Sequence, residues 1–144
     1  MTATQLTSTQ STPVATATAS RTWLRRFLAL DAVVTGGNGL AYLAFSGPLG
    51  DLLGVDSGLL FELGAFLTVF AAAVGYLASR QQPPTLGVQI VVESNLLWAA
   101  LSIAALFLWL SPTTAGNVWI PLQAVTVAGF AMLQHSALRA TRTT

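Results

Sequence analysis

The chain of 144 residues has no cysteine, which excludes a disulfide framework, a thiolate metal site and a redox dithiol. It has no lysine either. Its six basic residues are all arginine, set against five acids and one histidine, for a net charge of +1, far too little for a nucleic-acid footprint. Charged residues make up 8% of the chain, where a soluble domain carries about 25%. Hydrophobic residues make up 53%, so there is too little polar surface to cover a globule in water, and the composition belongs in a bilayer. A helix takes about 20 apolar residues to cross about 30 Å of hydrocarbon. The length therefore holds four spans, five at most, and excludes a large soluble catalytic domain.

Residues 1–20 carry no charged side chain and are rich in Thr, Ser and Ala, with too few large apolar groups to offset the entropy of ordering. They are expected to form a disordered cytoplasmic tail. Four apolar stretches follow, at about 27–45, 59–79, 86–110 and 118–138, within a transmembrane domain of 21–144. Turn chemistry separates them: Gly47-Pro48 with Gly50, Gly54 and Gly58, then Pro83-Pro84, then Ser111-Pro112 through Gly116-Asn117. Pro121 is expected in the first turn of the fourth helix, where a missing N–H costs little. Arg25-Arg26 followed by Phe27-Leu28 has features of a twin-arginine leader. Asp31 inside the apolar run and three further spans favour an uncleaved helix instead. The expected fold is all-α: a four-helix transmembrane bundle with short loops.

Basic residues near span ends resist translocation. Arg21, Arg25 and Arg26 precede the first span, Arg80 lies between the second and third, and Arg139 and Arg142 follow the fourth, so all six fall on one side. The other side has Asp51 and Asp56. A multi-pass protein of the cell membrane with both termini cytoplasmic is expected.

Polar residues inside the spans are the candidates for function. Asp31, Thr35, Asn38 and Tyr42 recur at intervals of four, three and four, within about 40° of one another on one helix face. Such a stripe either lines a binding groove or bonds one helix to another. Asp31 lies one turn inside Arg26, which also allows an arginine-paired anchor at the interface. Glu93, costly to bury, reads as a structural or subunit contact or as a proton-coupled group; it shares a face with Gln89, whereas Asn95, Trp98 and Ser102 lie about 160° away. Asn95 is the better core candidate, at about the depth of Asn38, which turns Gln89 and Glu93 outward, toward a second copy of the chain. Val33-Val34, Asn38 and Tyr42 are faintly echoed by Val91-Val92, Asn95 and Trp98.

The second span carries a seam of small residues, Gly64, Thr68, Ala71, Gly75 and Ser79, expected to be a packing surface. Trp23, Trp109 and Trp119 suit an interfacial aromatic belt. Glu62 near the start of the second helix reads as a capping charge at the interface or, with Asp51 and Asp56, as part of an outer binding site. His135, the one histidine, cannot make a haem or zinc site alone. No nucleotide loop, nucleophile elbow, His-Glu metal helix or paired nucleophile and base is present in the sequence. No enzyme activity, cofactor or metal is therefore expected, and no nucleic-acid partner.

The run Leu30-Asp31-Ala32-Val33-Val34-Thr35-Gly36-Gly37-Asn38-Gly39-Leu40-Ala41-Tyr42-Leu43, the segment Gly47 to Gly54, Asn95 with Trp98, and Pro112 to Gly116 resemble small uncharacterised integral membrane proteins of actinobacteria. The resemblance covers about residues 24 to 140. It implies a four-helix membrane fold and supplies no activity. The expected function is therefore a non-enzymatic one, exercised in the lipid bilayer through self-association as a homodimer or through a membrane partner. The alternative is a small permease or lipophile-binding protein that uses the stripe of the first helix and Glu93.

Overall fold

The computed structural model describes residues 13–143 and is all-helical over them. Four helices follow one another: α1 (Pro13–Leu53), α2 (Ser57–Ser79), α3 (Thr85–Leu108) and α4 (Thr114–Arg142). Each is long and apolar enough to cross a membrane. They run alternately up and down. The start of α1, the end of α2, the start of α3 and the end of α4 pack at one end around Leu24, Leu28, Ala78, Val88 and Leu138, and the arginines cluster there.

Residues 13–20 are helical, where a disordered tail is expected; residues 1–12 of that tail lie outside the described residues. The physical reason is local. Thr18, Ser20 and Thr22 donate their hydroxyls to the carbonyls four residues back, on Val14, Thr16 and Thr18, so these side chains bond within the helix instead of competing with it. The interspersed alanines favour propagation from the adjoining span.

The break expected at Gly47-Pro48 falls slightly earlier and does not end the helix. Phe45 has non-helical torsions (φ −129°, ψ 31°), and a second helical piece carries Pro48 in its opening turns, where a missing N–H is tolerated. The chain turns at Gly54, whose φ of +69° is a left-handed conformation that a side chain resists. Its N–H and that of Val55 both donate to Gly50 O. Asp56 then caps α2, accepting from the Leu59 N–H at 2.9 Å. The capping carboxylate is thus Asp56, and Glu62 is an exposed residue further along α2.

Pro121 lies well inside α4, not in its first turn, because Thr113 caps the helix upstream by accepting from the Gly116 N–H. Thr113 also fastens the α3–α4 turn to the end of α1, donating its N–H to Leu53 O and its hydroxyl to Leu52 O.

α1 and α2 form the closest pair. Their backbones meet at Gly39 and Gly64: a Cβ on Gly64 would lie 2.8 Å from Leu43 N and 2.9 Å from Gly39 O. The small-residue seam is a packing surface, with Ala71 against Gly36 and Gly75 against Ala32. α4 packs against both α1 and α3, while α2 and α3 barely touch. The bundle is therefore closed on three sides and splayed on the fourth.

Candidate functional site

Two polar networks stand on the stripe of α1. At the lower one, toward the arginine end, Asp31 is 0% exposed and accepts three hydrogen bonds. Thr35 Oγ1 donates to Oδ1 at 2.9 Å; Asn95 Nδ2 and Gln134 Nε2 donate to Oδ2 at 2.7 and 2.8 Å. All three partners are neutral. Both carboxyl oxygens are thereby engaged as acceptors. The network joins α1, α3 and α4, and it replaces the anchoring by Arg26 that proximity in sequence suggests. The Arg26 guanidinium instead stacks over Trp23 at 5.1 Å, and Arg25 donates Nε–H to Ala78 O at 3.0 Å, capping the end of α2.

The upper network centres on Tyr42, itself buried. Its hydroxyl accepts from Trp119 Nε1 at 2.8 Å and from Gln123 Nε2 at 2.6 Å, joining α1 to α4. Trp119 is thereby turned inward and half-buried; Trp23 and Trp109 remain exposed as an aromatic belt requires.

Between the two networks lies a cavity of about 460 Å³. Thr35 and Asn95 form its floor, directly above Asp31, and Trp119 and Gln123 lie on its wall toward the upper network. Phe66 and Phe70 on α2 and Trp98 on α3 supply most of its aromatic surface. Phe66 and Trp98 stack across the gap, ring centroids 5.9 Å apart and planes within 15°. All four helices line it, α2 and α3 being the neighbouring pair that scarcely meet. Asn38 lines it between the two networks, and its side-chain amide has no hydrogen-bond partner among the described residues. The arrangement offers an apolar, aromatic slot with a free amide inside it. That can hold a lipophilic molecule with one polar group; it contains no nucleophile and base pair.

Of the six sequence candidates, Thr35, Asn38 and Asn95 line the cavity, and Asp31 and Tyr42 anchor the networks on either side of it. Glu93 stands apart: it is exposed, with Gln89 half-buried one turn before it, and it lies outside the cavity. The face division on α3 follows the expected one, with Asn95 buried and Trp98 and Ser102 half-buried on the inner side. Asn95 does not pair with Asn38, however. It bonds Asp31, seven residues or about 10 Å lower on α1. The echo between Asn38 and Asn95 therefore joins residues in different roles.

Gln134, Gln123 and the aromatic wall were not among the sequence candidates. A signal for Gln134 exists: it precedes Arg139 by five residues as Asp31 follows Arg26 by five, so two polar side chains sit equally far from the same end. Gln123 carries no comparable mark. Among the described residues no group of three or more His, Cys, Asp and Glu side chains is placed to hold a metal ion. Comparison with protein-family models, with curated proteins and with solved structures finds no match for the chain.

Proposed function

We propose that this chain is a non-enzymatic integral protein of the cell membrane, both termini cytoplasmic, that binds a small lipophilic molecule between α2 and α3. The single observation that carries the reading is the cavity of about 460 Å³. Its volume suits a small ligand, four aromatic side chains line it, and the sparse contact between α2 and α3 beside it would leave a lateral way in from hydrocarbon. A lipophile dissolved in the bilayer would enter sideways without crossing water. The free amide of Asn38 would orient it, since a hydrogen bond made away from water has little competition.

This favours the alternative over self-association as the main activity. Self-association keeps one specific support, the exposed carboxylate of Glu93 eight residues into α3 with Gln89 beside it. Lipid exposure there is costly, and a second copy would relieve it. Glu93→Leu would then weaken a dimer in cross-linking and molar-mass measurements while leaving the monomer folded.

The test of ligand binding is thermal unfolding in detergent with a panel of neutral lipophiles. At a concentration 100 times its Kd a ligand stabilises by about 2.7 kcal/mol. At least one member is expected to raise the Tm of the wild type. Ser94→Phe, which fills the cavity from α3, is expected to abolish the shift while keeping the ligand-free Tm. A panel without effect, or an equal shift in the filled variant, refutes the reading.

A further inference from the structure

We propose that the preferred occupant of the cavity is a lipophilic cation, an organic ion whose positive charge is spread among apolar groups. This rests on the reading of the cavity as a ligand site and adds the sign of the ligand's charge.

The distribution of charge carries the inference. All six arginines lie at one end of the bundle. Between residues 27 and 138, Arg80 in the α2–α3 turn excepted, the formal charges are five carboxylates: Asp31, Asp51, Asp56, Glu62 and Glu93. His135, exposed near the arginine end, is the one other group able to become positive in that stretch. Inside, the carboxylate of Asp31 has three neutral donors and no cation. Arg25, a nearby base in sequence, spends its Nε–H on Ala78 O.

Thr35 and Asn95, two of the three donors to Asp31, are themselves the floor of the cavity. The carboxylate therefore lies one side chain below any occupant. In an interior of low dielectric, the negative potential of the two acceptor oxygens of Asp31, with no cation beside them, reaches an occupant with less attenuation than in water. The wall adds to the same preference. Phe66, Phe70, Trp98 and Trp119 present aromatic rings, whose faces attract a cation, and no basic side chain lines the cavity to oppose them. An anion of the same shape would meet the same field with the opposite sign. Asn38 and Gln123 offer hydrogen bonds to a neutral or a charged head alike, so the discrimination comes from charge.

Three probes of one shape separate the terms: tetraphenylphosphonium, tetraphenylmethane and tetraphenylborate, bearing charges of plus one, zero and minus one. Their affinities for the full chain in a non-ionic detergent, by equilibrium dialysis corrected for micelle partition, are expected to fall in that order. The step from cation to neutral probe is expected to be at least about tenfold, and to persist at high salt because a buried charge is poorly screened. Asp31→Asn is expected to keep the neutral probe bound and to weaken the preference to what the aromatic wall alone supplies; Glu93→Gln is expected to leave the preference intact. Equal binding of all three probes by the wild type overturns the proposal while leaving the cavity a site for neutral ligands. A preference that survives Asp31→Asn undiminished, disappears with Glu93→Gln or disappears at high salt overturns it too. Should Asp31→Asn fail to fold, the wild-type order and its salt resistance decide. If no probe binds and the panel of neutral lipophiles is also without effect, the ligand-site reading itself falls.

Discussion

At the scale of single residues, Asp31 organises the bundle. It is buried without a counter-charge and held by donors from its own helix and two others. Hydrogen bonds between helices in a membrane are worth about 0.6 kcal/mol on average and up to about 1.7 kcal/mol. Asn95→Ala and Gln134→Ala are each expected to cost an amount in that range, read from unfolding in mixed micelles with a denaturing detergent. Both amides donate to the same carboxylate oxygen, so the double variant should depart from additivity by about 0.5 kcal/mol or more. Additive losses would mean that the carboxylate does not couple them. The carbonyl oxygen of Gln134 is buried without a partner among the described residues, which places part of the cost of the network on that residue. Much of this was legible in the sequence. The interval of the α1 stripe put Asp31, Thr35, Asn38 and Tyr42 on one face, and opposed polar groups on α3 separated Asn95 from Glu93. What spacing along one helix could not supply is the partner across the bundle, so Gln134 and Gln123 went unmarked.

At the scale of elements, two close contacts set the geometry. α1 and α2 meet backbone to backbone at Gly39 and Gly64, where van der Waals packing, and not hydrophobic burial, holds helices together in lipid. Gly64→Leu is expected to force the pair apart at a cost of about 1–3 kcal/mol, measured in the same unfolding assay; no loss would show that the helices can separate freely there. At the turn, Gly54 combines a φ of +69° with close approach to Thr113, where an added Cβ would lie 2.6 Å from the backbone nitrogen. Gly54→Ala should cost at least about 1–2 kcal/mol and loosen the tie between the α1–α2 and α3–α4 turns, visible as faster hydrogen exchange at Thr113. Hydropathy and the Pro and Gly clusters disclosed four helices, because those signals are local. The length of α1 escaped them: threonine and serine read as breakers until their hydroxyls are seen bonding to the preceding turn. The opening between α2 and α3 was also hidden, since a missing contact has no local signature.

At the scale of the whole molecule, the proposal is a bundle set across the membrane by its arginines and open sideways to lipid. Its orientation predicts that single cysteines at Ser57 and Thr113, in a chain with no native thiol, react with impermeant reagents from outside the cell. Reaction only from the cytoplasmic side would reverse the topology. Closing the gap between α2 and α3 should shut the ligand out. Cysteines in place of Leu63 on α2 and Leu101 on α3, both lining the cavity and each three residues from the stacked Phe66 and Trp98, can be joined by a short cleavable bifunctional thiol reagent. Binding of a neutral lipophile that stabilises the unlinked double variant is measured before linking, after linking and after cleavage. Binding, loss of binding and recovery are expected in turn; unchanged affinity in the linked protein would show that ligands do not enter between α2 and α3.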